Sequence, residues 1–107
     1  MKSIQNWCEE ITVWRQTMGF STPITLDNIK ERDRMLGKLM LVVSEISEAS
    51  EAVRKVDTSN FIEELADATI RIFDICGAMG IDLEGAIEHK MKVNRGRERR
   101  HGKYTTL

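Results

Sequence analysis

An all-α fold is the expectation, and three observations carry it. The chain of 107 residues holds a single proline, Pro23, and only seven glycines, too few for the frequent turns of an all-β domain. Its apolar residues recur at the i, i+3, i+4, i+7 spacing over long windows. Aromatic residues make up 6% of the chain, so a core must be built mainly from Leu, Ile, Val, Ala and Met. The length fits one domain, residues 1–107, with a basic tail from about residue 95. Such a chain buries only about 60–70% of the surface its unfolded state exposes. The expected architecture is therefore an antiparallel helical hairpin or four-helix bundle completed by oligomerisation, as a homodimer or a homotetramer.

The first helix is expected over residues 4–18, with Ile4, Trp7, Cys8, Ile11, Trp14 and Met18 on one face and Gly19 as its stop. Residues 20–29 contain Ser21, Thr22, Pro23, Asp27 and Asn28 and read as a loop. A long second helix follows over about 31–56, with Leu36, Leu39, Met40, Val43, Ile46 and Val53 as its apolar stripe. Residues 57–60, Asp-Thr-Ser-Asn, break the pattern and offer N-caps. The third helix is expected over 61–78, with the stripe Leu65, Ala68, Ile72, Ile75 and Met79, ended by Gly77 and Gly80. Asp82 caps a fourth helix reaching at least Val93, and the residues from Arg97 onward read as an irregular tail after Gly96. Met35, Met40, Met79 and Met91 fall within these apolar patterns as core fillers.

Charge is distributed unevenly. Residues 1–89 hold 9 Lys and Arg against 16 Asp and Glu, whereas residues 90–107 hold 7 against 1. An acidic body with a basic tail follows, and nucleic acid is an unfavoured partner for the body. Cys8 and Cys76 lie in apolar patterns as small core residues of a reducing compartment. No apolar run resembles a signal peptide or approaches the ~18 residues of a membrane span, so a cytoplasmic protein without membrane contact is expected.

The carboxylates are the most informative feature. Glu45 and Glu48 lie three residues apart, only ~60° from each other around a helix, and Glu51 lies a further ~60° round. Glu64 and Asp67 repeat the spacing on the next helix. Each pair borders an apolar stripe, and a short loop would pack the two helices antiparallel. Four carboxylates then converge, and like charges so close are unfavourable unless neutralised. Arg71, the only cation on the third-helix stripe, cannot balance four. A divalent cation can, and an all-oxygen donor set favours Mg²⁺ or Mn²⁺.

Ser44-Glu45-Ile46-Ser47-Glu48, followed by Glu63-Glu64-Leu65-Ala66-Asp67 and Ile70-Arg71, resembles the E-x-x-E…E-x-x-D pattern of MazG-like, all-α nucleoside triphosphate pyrophosphohydrolases. Gly80 to Leu83, Lys90, Asn94, Arg97 and His101 to Lys103 are similar to that family's C-terminal region, so the resemblance spans about residues 36–103. It implies Mg²⁺-dependent hydrolysis of a nucleoside or deoxynucleoside triphosphate to the monophosphate and pyrophosphate, clearing non-standard or surplus nucleotides. It implies Glu45, Glu48, Glu64 and Asp67 as metal ligands. A carboxylate not fully engaged with metal would take the proton of the attacking water, and Glu48 is the candidate. Lys90, Asn94 and Arg97, on one face if the fourth helix continues, would hold phosphates, with Arg71 and the tail cations Arg99, Arg100, His101 and Lys103 as further contacts. Trp14 or Trp7 would stack on the base. The competing expectation is a non-catalytic helical module that binds polyanions through its basic C-terminal tail.

Overall fold

The computed structural model describes residues 1–19 and 25–101, with side chains as far as Arg97 in the last helix. Four helices follow in order: α1 (Ile4–Thr17), α2 (Ile29–Arg54), α3 (Thr58–Met79) and α4 (Leu83–His101). No helix is long and apolar enough to cross a membrane among the described residues.

The caps explain the starts. Ser3 and Asn6 form a reciprocal capping box at α1, each side chain bonding the other's backbone N–H at 3.1 Å. Asn28 accepts from the Glu31 N–H at 2.9 Å, Asp57 from Asn60 at 3.1 Å and Asp82 from Gly85 at 3.0 Å. Asp57 is thus the cap within the predicted 57–60 break, and α3 begins at once after it. The turn between α2 and α3 is tight: the Asp57 N–H reaches back to the Ala52 carbonyl at 2.9 Å, and Val56 adopts a left-handed φ of 54°. A branched residue is strained there, in a position that glycine usually fills.

Three expectations need correction. Gly77 does not end α3. It lies inside the helix at the crossing with α1, where an added Cβ would strike the Thr12 side chain and come within 2.9 Å of the Cys8 carbonyl. Only Gly80, at φ 68°, forms the cap. Secondly, α4 reaches Val93 as expected, but the irregular tail does not begin at Arg97: the helix runs through Gly96 to His101, carried by the good helix formers Lys92, Arg95 and Arg97 around the glycine. The expected loop over 20–24 and the tail over 102–107 lie outside the described residues.

The third correction concerns the core. The second and third helices do form an antiparallel hairpin, but they meet through Met35, Ala49 and Ala52 of α2 and Ala68, Ile75 and Ala78 of α3. Small side chains let the helices approach closely. The expected α2 stripe lies about 100° round from this contact. Leu36, Leu39, Met40, Val43, Ile46 and Val53 are all 45–61% exposed. Ile72 of α3, 41% exposed, extends this flank by its position round the helix, whereas the exposed Ile62 and Leu65 line a pocket with Trp7 and Ile11 of α1. Met40 and Met91 are therefore surface residues, not core fillers.

The opposite flank carries α1. Cys8, Ile11 and Arg15 are its buried residues, so the helix is rotated from the face marked by Trp7 and Trp14, which stay half exposed. Cys8 and Cys76 are buried free thiols, with pKa values raised chiefly by burial. The helix α4 packs against α1.

Candidate metal centre

Glu45 and Glu48 lie one turn apart on α2, and Glu64 faces them from α3. Each offers one carboxylate oxygen, and these three atoms lie within 4.8 Å of one another. Oxygens on opposite sides of a Mg²⁺ ion lie about 4 Å apart, from its 2.0–2.1 Å bonds, so slight closure of this cluster matches a hard divalent cation. The Glu64 Oε2 atom is shut off from solvent with no nitrogen or hydroxyl donor directed at it, and bonds between the carboxyls exist only while one of them is protonated, so the ionised group presents an open coordination point. Glu48 is exposed and Glu45 and Glu64 are partly buried, so water reaches the cluster from the Glu48 side. Glu51 turns away, as its position round the helix predicts, and pairs with Arg54 at 2.7 Å. Asp67 sits one turn along α3 from Glu64, outside the group of three, and shares with Glu45 and Arg71 the wall of a neighbouring pocket.

The electrostatics follow from crowding. The Glu64 carboxyl is pushed up to about 7, first by hydrogen-bonding approach to Glu45, then to Glu48, with burial adding to both. Glu45 is held below the ordinary carboxylate range by the bond from Glu64 and then by Arg71, whose Nε donates to Glu45 Oε1 at 3.0 Å. One proton on Glu64 and one guanidinium thus offset two of the three carboxylate charges in the absence of metal. Because the folded-state value for Glu64 exceeds its ordinary 4.5, its contribution to stability is full below about pH 4.5 and is lost as pH rises through about 7. The metal-free thermal midpoint should therefore fall between about pH 5.5 and pH 8. Glu64→Gln should remove that part of the fall, as melts of both proteins in matched buffers would show.

Compared with models of known families, with curated proteins and with solved structures, this chain matches none.

Along the hairpin from the cluster, α1 closes over a second group of charges. Arg15, only 3% exposed, pairs through Nε with Asp74 Oδ1, and Lys38 donates to Asp74 Oδ2 at 3.2 Å. One carboxylate therefore ties together α1, α2 and α3. Arg71 stands between this triad and the glutamates, and Trp14 borders both adjacent pockets.

Of the residues singled out in the sequence, Glu45, Glu48, Glu64 and Arg71 come together, and Asp67 and Trp14 lie beside them. Lys90, Asn94 and Arg97 sit on α4, and none of the three lines the pockets beside the cluster. The side chains of Arg99, Arg100, His101 and Lys103 lie outside the described residues. Trp7 packs under the Lys2 ammonium, 4.5 Å from its ring centre, away from the carboxylates. Sequence reasoning missed Arg15, Lys38 and Asp74. A signal existed: Cys8, Ile11 and Arg15 share the i, i+3, i+7 spacing, which puts an arginine on a buried line.

Proposed function

We propose that the protein is a divalent-metal-dependent nucleoside triphosphate pyrophosphohydrolase. The observation that carries this reading is the set of three carboxylates from two helices, with a buried oxygen on Glu64 that no nitrogen or hydroxyl donor meets. The sequence resemblance to MazG-like pyrophosphohydrolases, over the same residues, supports it. Glu45, Glu48 and Glu64 would hold Mg²⁺ or Mn²⁺, with Asp67 completing the set from the next turn. When bound, the ion neutralises phosphate oxygens and favours ionisation of a nearby water.

The chain's own groups divide the remaining work. Glu48, the exposed member, is open to solvent and takes the proton of the attacking water. With Glu45 committed to a cation, Arg71 would be released from its bond to that carboxylate and could turn its guanidinium to the phosphates. Within one chain, Lys90, Asn94 and Arg97 have no place at the cluster, so their contribution would come from a neighbouring copy.

That copy is proposed to dock on the bare flank of the hairpin. The exposed Leu39, Val43, Ile46 and Val53 of α2, with Ile72 of α3, form an apolar surface of the kind that soluble monomers rarely leave open. Light scattering at micromolar concentration should give a mass at least twice that of the 12.3 kDa chain. Introducing a charge at Val43 should lower it. The function itself is tested by incubating a panel of NTPs and dNTPs with Mg²⁺ and scoring pyrophosphate separately from orthophosphate. Pyrophosphate with an equal amount of monophosphate is expected. Stepwise orthophosphate, or no turnover of any member, would reject the reading.

A further inference from the structure

Two adjoining cavities, of about 280 and 260 Å³, run from Glu45 and Asp67 past Arg71 to the α1–α2–α3 junction. Trp14, Arg71 and Asp74 line both. The far cavity is walled by Trp14 and Leu41 on its apolar side and by Arg15, Lys38, Arg71 and Asp74 on its polar side. Trp14 is 57% exposed, which leaves an aromatic face at the rim. Asp74 and Lys38 sit 3.2 Å apart, an acceptor and a donor side by side, and Arg15 behind fixes the carboxylate.

We infer that this far cavity receives the nucleobase of the substrate, with Trp14 stacking on its face and Asp74 and Lys38 reading its polar edge. The inference rests on the reading of the neighbouring glutamates as a nucleotide-hydrolysing centre. Two features favour a base as the occupant. A tryptophan face matches a flat heterocycle, and stacking is worth about 1–3 kcal/mol per base. Arg71 stands between the cavity and the glutamates, where a phosphate chain leading from base to metal would pass. The paired edge groups also set a preference. Asp74 accepts from an exocyclic amino group, and Lys38 donates to the ring nitrogen or carbonyl beside it. Cytosine offers that arrangement; uracil, its isostere, presents a carbonyl to the carboxylate in place of the amino group. A hydrogen bond to a charged acceptor corresponds to about tenfold or more in affinity.

The test uses the full chain in a Trp7→Phe background, which leaves Trp14 as the only tryptophan. Its fluorescence is titrated with CMP, UMP and ribose 5-phosphate without divalent metal. CMP should quench at about one-tenth the concentration needed for UMP, and ribose 5-phosphate should not quench. Asp74→Asn should bring the CMP and UMP curves together, and Lys38→Met should shift both to higher concentration, with helicity checked by circular dichroism. Absence of quenching by either nucleotide, equal quenching by ribose 5-phosphate, or a CMP preference unchanged in both variants would overturn the inference. The metal reading is scored apart from this, by the Mg²⁺ dependence of thermal melts. A base pocket without a metal response would sink the hydrolase and leave the pocket standing. The reverse result would do the opposite.

Discussion

Glu64→Gln and Glu45→Gln should each abolish any rise in thermal midpoint on adding Mg²⁺ and should lower kcat/KM for pyrophosphate release by about a hundredfold or more, about 2.7 kcal/mol. The reason is the crowding of three carboxylates within 4.8 Å. A cation that binds the folded state alone stabilises it by mass action, and removing a ligand charge weakens that binding. Without metal, Glu64→Gln should be as stable as the parent at pH 8 or more so, because carboxylate repulsion is relieved, whereas Glu45→Gln also gives up its charge pair with Arg71 and should gain less. Glu48→Gln should act mainly on kcat, through loss of the group that takes the water's proton. Glu51→Gln is the control: its carboxylate faces away and pairs with Arg54 on the surface, so metal response and turnover should be unchanged. If Mg²⁺ at millimolar concentration moves no melt of the parent protein, the three glutamates are a repulsive surface cluster and nothing more.

The second large effect is on folding. Asp74→Ala should destabilise the protein by about 3–5 kcal/mol, because it leaves Arg15 buried without its carboxylate and frees Lys38. For a domain of this size that corresponds to a fall of more than about 10 °C in the thermal midpoint. Asp74→Asn keeps a hydrogen-bond acceptor for Arg15 and should cost less. Replacing both partners with apolar side chains, Arg15→Met with Asp74→Leu, should recover much of the loss, since removing an ion pair whole avoids an orphaned charge. A double-mutant cycle on melts resolves these terms. Equal stability of Asp74→Ala and the parent would mean that Arg15 does not depend on Asp74 for its burial.

What the sequence determined by itself was local. The 3.6-residue periodicity and the capping residues Ser3, Asn28, Asp57, Asp82 and Gly80 specify four helices to within a few residues, because caps and apolar spacing act over one or two turns. The spacing of Glu45, Glu48 and Glu64, with a short connection between their helices, was enough to place three carboxylates together. Periodicity also identified an apolar stripe on α2 but not what covers it. Tertiary structure decided that the hairpin closes through Ala49, Ala52, Ala68 and Ala78 instead, since small residues allow the closest approach of two backbones and leave the larger ones on a free flank. It likewise decided the rotation of α1, where the contact of Gly77 with Cys8 and Thr12 turns Arg15 inward onto Asp74 and leaves Trp14 at the rim of a cavity. Arg15 and Asp74 lie 59 positions apart in the chain. A charge pair at that separation has no local signature, because it exists only once three helices have packed.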